Sequence, residues 1–315
     1  MIRYIVTRLL TLIPILLGVS ILVFGMFHMV PGDVIDIMMG DESAGDPEAA
    51  EELRERMGLN KPVYVQYWRW LKNAARGDLG KSLTSGNQVM DDILGRLPVN
   101  IELMLIAMGF VIFLGIPLGM LSANKQFTFI DGLLRVVTIL GYAIPNFWLA
   151  TLVVLLGSLY FEWLPVLYYV PFSENPLENI KCMIIPGFVL GTTTLSYIVR
   201  MTRSSVLDSL RQDYVRTARA KGMTERVILY VHVLKNSLIP VVTVLGFQIG
   251  VLIGGLVLTE EVFVLPGVGR LILLAIEQRD FMIVTGAILF LAFVFVMMNL
   301  VVDVIYAFLD PRITY

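Results

Sequence analysis

Six stretches of this 315-residue chain are apolar over lengths that suit a bilayer crossing, near residues 9–30, 99–123, 134–160, 184–202, 238–258 and 281–308. A helix needs about 20 residues to span the hydrocarbon. Inside lipid every backbone N–H and C=O must be satisfied internally, so helices and closed barrels are the only spanning structures. None of the stretches shows the ten-residue alternation of a barrel strand. The chain is therefore expected to be an all-α, polytopic membrane protein with six transmembrane helices. Composition agrees: 16% of residues are charged, against about 25% in soluble domains, too few to cover a water-facing surface.

Arg3 and Arg8 precede the first apolar run, as in a secretory signal. The run continues to Val30 and is followed by Pro31-Gly32-Asp33 rather than a small-residue cleavage site, so it is read as a retained helix. Orientation follows from basic residues in the short loops. Residues 200–237 hold eight Lys/Arg and three acids, whereas the 31–98 segment holds twelve acids and eight bases. Both termini are expected in the cytoplasm, with the acidic loops outside. This divides the chain into an N-terminal helix (1–30), an extracytoplasmic segment (31–98) and a five-helix core (99–315) whose loop 203–237 is cytoplasmic.

Within 31–98, the helix formers of 47–57 predict one short helix. Tyr64, Tyr67, Trp68, Trp70 and Leu71 predict a second, aromatic helix near the membrane. Its aromatic surface suits a belt at the headgroups or a platform for a partner.

Catalytic chemistry finds little support. One cysteine, Cys182, excludes a disulfide framework, and two histidines, His28 and His232, give no metal cluster. Gly80-Lys81-Ser82 matches the tail of a phosphate-binding loop, but Ala75 stands where the first glycine belongs and no strand precedes it. No nucleophile–base set or paired carboxylates emerge, so the chain is not expected to be an enzyme. Carboxylates are scarce within the spans, Glu102 and Asp303 falling toward span ends, which argues against an ion-coupled carrier.

Small residues are placed suggestively. Gly115-x-x-x-Gly119 brackets Pro117 in the second span, Gly141 and Pro145-Asn146 lie in the third, and Gly246-x-x-x-Gly250-x-x-x-Gly254 with Gln248 in the fifth. Such spacing lets helix backbones approach closely in lipid. A sharper reading makes the third and fifth spans line a pathway, with Asn146, Gly246, Gln248, Gly250 and Gly254 as its gate and polar lining.

The cytoplasmic run Asp213-Tyr214-Val215-Arg216-Thr217-Ala218-Arg219-Ala220-Lys221-Gly222 reads as a short amphipathic helix. Tyr214 and Ala218 share a face, with Val215 beside them and Arg216 and Arg219 turned elsewhere. Gly222 suits the left-handed position after a helix, and Thr224 is placed to cap the next one. The Tyr214/Ala218 face suits a groove on another protein. The alternative is a basic loop that only enforces topology.

Taken in order, these blocks resemble the permease subunits of ABC importers, specifically the first permease of the dipeptide/oligopeptide pair. The resemblance is carried by Pro31-Gly32-Asp33, Gly77-Asp78-Leu79-Gly80 with Ser82, Arg96-Leu97-Pro98, Arg216 to Gly222, Pro266-Gly267-Val268-Gly269, Val302-Asp303 and Asp310-Pro311-Arg312. It implies the type I importer permease fold, and a coupling role for Asp213 to Gly222 against an ATPase, although Arg216 and Thr217 stand where the general coupling motif has Glu and Ala. It also implies a second homologous permease, two ATPase subunits that bind ATP and magnesium, and an extracytoplasmic substrate-binding protein. No cofactor is expected in this chain, and no nucleic acid. Nickel, glutathione and oligosaccharide importers share the permease type and stand as alternative cargoes. An ion-coupled secondary transporter is the alternative of a different class.

Overall fold

The computed structural model of the chain describes residues 2–29, 51, 55, 60–161 and 169–309. In chain order its helices are α1 (Ile2–Met29), α2 (Val63–Ala74), α3 (Val89–Asn124), α4 (Phe129–Ala143), α5 (Asn146–Phe161) and α6 (Pro176–Leu210). They continue with α7 (Asp213–Ala220), α8 (Leu234–Val262), α9 (Val268–Glu277) and α10 (Phe281–Leu309). The all-helical expectation holds. The aromatic helix predicted after residue 60 is α2. The helix predicted over 47–57 lies outside the described residues except at Glu51 and Glu55, both helical, as do Pro31-Gly32-Asp33 and Asp310-Pro311-Arg312.

Among the described residues every predicted span falls mainly on helix, but not every one is a plain rod. By length and composition, four helical stretches among the described residues qualify to cross a membrane: Val89–Asn124, Pro176–Leu210, Glu225–Gly250 and Phe281–Val302. The expected single span over 134–160 is instead two helices, α4 and α5, bent by 102° at their junction. Pro145 is the cause: it has no N–H to donate, and its ring drives the preceding residue into extended backbone. Ile144 accordingly has φ −77° and ψ 123°. Counted as one span, the pair brings the number to five, and α1 adds a shorter apolar stretch, Leu10–Met26.

Two further irregularities were invisible in the hydropathy. α3 passes through a π-helical turn at Val111–Gly115, and Ile228–Val233 forms another immediately before α8. In α3 the turn lies just ahead of Pro117, whose ring crowds the carbonyl four residues back. A widened turn relieves that crowding.

The chain divides into two compact units. One is built from Val99–Pro266 and the chain from Met298 onward, the other from Ile2–Pro98 and Gly267–Met297.

In the first unit α6 is the hub, packing against α3, α4, α5 and α8. Its apolar window is 56% buried, against 28–33% in the other three long spans, so α6 is the helix enclosed by the rest. Small residues make this possible. A Cβ added at Gly119 of α3 would lie 2.6 Å from Thr202 Cβ and 2.7 Å from the Val199 carbonyl oxygen of α6. The contact is reciprocal: Gly187 and Gly191 of α6 lie against Ile106 and Ala107 of α3. The packing value of Gly115-x-x-x-Gly119 is thus realised, while Gly187-x-x-x-Gly191 was overlooked. Around the contact lie Leu103, Ala107, Met183, Leu190, Leu252 and Phe263, all buried.

In the second unit Leu79, Val89 and Ile93 pack with Val268, Leu271 and Ile272 of α9 and with Ile283 and Ala287 of α10. The Gly77-Asp78-Leu79-Gly80 block is a turn, not a phosphate cradle. Gly77 and Gly80 have φ +87° and +88°, which only glycine adopts freely. The Asp78 carboxylate accepts from Gly80 N, and Leu79 is buried. Ser82 donates to the wholly buried Asp280, which also accepts from Thr84 N and from Ile283 N in the first turn of α10. The hydroxyl that a phosphate loop would turn to a metal is committed to closing this loop onto α10.

Candidate functional site

The basic segment between α6 and α8 folds locally as its residues dictate. α7 begins at Asp213, a carboxylate near the positive end of the helix dipole. It ends in a two-bond left-handed cap: Met223 N donates to Ala218 O at 3.3 Å and Gly222 N to Arg219 O at 2.9 Å, with Gly222 at φ +76°. This is the termination expected of Gly222. Thr224 occupies the N-terminal position of the next turn, its carbonyl accepting from Ile228 N, but its hydroxyl makes no capping bond. The turn is held instead by Arg219, whose guanidinium donates to both oxygens of Glu225 at 2.7 and 3.2 Å.

The faces of α7 differ from expectation. Val215 and Ala218 are buried, three residues apart, in a cluster with Met120 and Ala123 of α3, Val206 of α6, and Ile228, Leu229 and Val233 of the π-helical turn. Ala218 therefore packs into the chain's own core and is not free for a groove on another protein. Tyr214 sits at the edge, 37% exposed. Asp213, Arg216, Thr217, Arg219, Ala220, Lys221 and Gly222 are exposed. The reason is angular: Val215 and Ala218 form the apolar stripe, and Tyr214 flanks it. The exposed Asp213–Arg216 pair, at 3.3 Å, contributes little to stability because water solvates both partners. α7 is thus bolted to the ends of three spans and presents a polar, mainly basic outer surface.

The residues predicted to line a pathway are only partly brought together. Asn146 sits at the α4–α5 break, half-buried, with both ends of its amide engaged by α6. Its Nδ2 donates to Leu190 O at 3.3 Å, and Thr193 Oγ1 donates to its Oδ1 at 2.6 Å. Asn146 fastens the break to the hub helix. On α8, Gly246, Gln248 and Gly250 are half-buried. Gly254 is exposed, and a Cβ there would meet nothing within 4 Å. The glycine facing Asn146 is the next one: a Cβ at Gly255 would lie 3.0 Å from Leu190 and 3.9 Å from Asn146 Nδ2. One residue is about 100° on a helix, enough to exchange the packed glycine for the open one.

Two buried carboxylates escaped the sequence reading, and a half-buried one, Glu102, was placed at a span end without its partners. Asp131, at the start of α4, accepts both Arg203 donors at 2.7 and 2.9 Å together with Ser122 Oγ at 2.6 Å. Glu260, wholly buried near the end of α8, accepts from Asn100 of α3 at 2.6 Å. Glu102 accepts from Tyr169 at 2.9 Å and Asn179 at 2.8 Å. Burial first, and then the bond to Glu102, raise the Tyr169 phenol above its usual range, so it stays a donor. Apart from Ser122, nine residues from Asp131, these partners lie 67 to 160 residues apart, which no local pattern reports. Among the described residues no group of three or more His, Cys, Asp or Glu is placed to hold a metal.

Comparison with known proteins decides the class. The family described as binding-protein-dependent transport system inner membrane component matches residues 115–315, and its N-terminal companion matches residues 1–104. The chain belongs to this family. It is a polytopic membrane permease of the ABC importer type. It is 41% identical to the dipeptide transport system permease protein DppB of Alkalihalophilus pseudofirmus, over the full length of both chains. It is 39% identical to the di/tripeptide transport system permease protein DppB of Pseudomonas aeruginosa and 37% to the dipeptide transport system permease protein DppB of Escherichia coli, covering all of this chain and 99% of each relative. In this permease the buried stripe of α7 and its glycine cap occupy the stretch that the motif resemblance assigns to coupling.

Proposed function

We propose that this permease forms half of the translocation pathway for di- or oligopeptides in an ATP-driven importer. An extracytoplasmic binding protein delivers the cargo, a second homologous permease completes the pore, and two ATPase subunits bind ATP and magnesium. The observation that carries the reading is end-to-end similarity, at 37–41% identity, to relatives named for dipeptide transport. Both termini face the cytoplasm in this reading, as the basic loop 200–237 requires. The chain supplies no catalytic residue and no cofactor of its own.

The mechanical part falls to Asp213–Gly222. ATP binding moves the membrane helices only through a contact that differs between states. The buried Val215/Ala218 stripe ties α7 to α3, α6 and the approach to α8, so a displacement of its outer face reaches three spans together. That outer face, with Tyr214, Arg216, Lys221 and Met223 exposed, is the surface assigned to the ATPase. The pathway and gate assignment of Asn146, Gly246, Gln248, Gly250 and Gly254 is retained for the α4–α5 break and α8.

Reconstitution tests the reading. Uptake of a labelled dipeptide into proteoliposomes is expected to need the binding protein, both permeases and ATP inside, and to be indifferent to an imposed ion gradient. Uptake by this chain alone, driven by such a gradient, overturns it. Tyr214→Ala with Met223→Glu leaves the α7 stripe intact and is expected to abolish ATPase co-purification. Unchanged co-purification removes the coupling assignment.

A further inference from the structure

The second unit contains a cavity of about 480 Å³ with no role in the transport reading. Its walls come from α1 (Ile13, Leu17), α2 (Leu71), α3 (Met90) and α10 (Leu289, Phe293). The volume is within the ~300–1,000 Å³ range of small-ligand sites. The lining is apolar apart from Ser20, and that hydroxyl is occupied, donating to Leu17 O at 2.8 Å and bonded to Tyr67 Oη at 2.8 Å. Nothing in the walls invites water or a polar solute.

α2 forms the roof and is built for a membrane surface. Tyr67, Trp70, Leu71 and Ala74 make one face, and Tyr67, edge-on, and Trp70, tilted, pack against the Phe24 ring of α1 with centroids 5.4 and 5.6 Å apart. The stack lies near the end of the apolar run Leu10–Met26, which puts α2 at the edge of the hydrocarbon. Arg69 and Lys72 form an exposed stripe on the opposite face, which Arg76 extends from the turn that follows the helix. Trp68 and Tyr64, 63% and 68% exposed, flank it. An apolar face, flanking aromatics and a Lys/Arg face are the marks of an interfacial helix.

We infer that this cavity holds one acyl chain of an anionic phospholipid, whose headgroup lies beside the Arg69–Lys72–Arg76 stripe. The two parts of the site act differently. Lipid tails are as apolar as leucine, so the cavity gains no hydrophobic preference for one lipid over another. It is an open groove, Ile13 and Phe293 being 53% and 47% exposed, and an acyl chain lying in it gives those walls contacts. Selectivity comes from the cations, whose long stems reach the phosphate level from the rim of the helix. The inference is independent of the transported cargo.

The purified complex, reconstituted in nanodiscs containing phosphatidylglycerol or phosphatidylcholine with a diazirine in mid-chain, tests it by crosslinking and peptide mapping. Labelling is expected to concentrate on Leu17, Leu71, Met90 and Phe293, with phosphatidylglycerol favoured. Ala75→Phe and, from the opposite wall, Leu289→Trp are each expected to cut labelling of those four residues at least fivefold. Neutralising Arg69, Lys72 and Arg76 to glutamine is expected to erase the phosphatidylglycerol preference, about fivefold per cation, while leaving chain labelling in place. Labelling spread evenly over the exposed faces of α1 and α10, equal labelling by both lipids, or crosslinks from the cavity residues to another protein chain overturns the inference.

Discussion

Replacing Asp131 with asparagine alters a carboxylate that is 0% exposed and touches three elements. Its Oδ1 accepts from Ser122 and from Arg203 Nε, and its Oδ2 accepts from Arg203 Nη2 and from Phe127 N at 3.1 Å. An amide keeps an acceptor on only one side. Whichever way it turns, its NH₂ faces two donors that lose their partner. Breaking a buried ion pair by removing one member typically costs about 3–5 kcal/mol. The Arg203 side chain is 20% exposed, so water takes over part of its solvation. The expected loss is then about 2–3 kcal/mol, or roughly 3–5 °C in Tm for a chain of this length. Detergent-purified permease, heated at a fixed rate and followed by size-exclusion chromatography, measures it. Because such unfolding is often irreversible, variants are compared at matched rates. Arg203→Gln provides the second edge of a double-mutant cycle, in which Asp131→Asn/Arg203→Gln should lose less than the two singles combined. An Asp131→Asn variant within 1 °C of the parent, or strictly additive losses, would refute an electrostatic clamp between α4 and α6.

Gly119→Val is expected to lower stability by at least ~1–3 kcal/mol, the usual cost of overpacking, because its Cβ would meet the Val199 backbone. Gly254→Val, with open space around it, is expected to shift the same melting curve by under ~0.5 kcal/mol, and equal effects would discredit the packing argument. Val264 holds φ +53° while 40% exposed. Relief of about 1–2 kcal/mol of left-handed strain, against ~0.5–1 for the entropy of glycine and ~1 for the lost burial of the valine, predicts that Val264→Gly changes stability by under ~1 kcal/mol in the same assay, far less than an unstrained valine-to-glycine exchange would cost. With Cys182 replaced, an impermeant thiol reagent applied to sealed cells should label a cysteine at Glu174 but not at Arg219. The reverse pattern overturns the orientation.

Much of this permease is legible along the chain, because its determinants are local or periodic. Apolar runs place α1, α3, α6, α8 and α10. Gly222 marks the end of α7, whereas Pro145 was visible in a run read as one span and its break was not. Gly115-x-x-x-Gly119 announces a close helix contact by its spacing alone. Even the phosphate-loop lookalike at Gly80-Lys81-Ser82 is dismissed before its partner Asp280 is known.

What stayed hidden depends on pairing across the fold. Sequence shows that Ala218 shares a face with Tyr214, but only the cluster with Met120, Val206 and Ile228 shows which side of that face is buried. The stripe of glycines on α8 cannot report that Gly255, and not Gly254, turns toward Asn146. Four helix ends among the described residues use the same two-bond cap, after Arg76, Lys221, Phe263 and Gln278, yet only the first two place a glycine, Gly77 and Gly222, in the left-handed position. Val264 and Arg279 are held at φ +53° and +55°, a conformation their residue types disfavour. The buried carboxylates make the same point: Asp131, Glu260 and Asp280 are tolerable only because Arg203, Asn100 and Ser82 reach them from elsewhere in the chain. Periodicity is a property of neighbours in sequence and survives in the bare chain, whereas the satisfaction of a buried charge exists only once distant helices have packed.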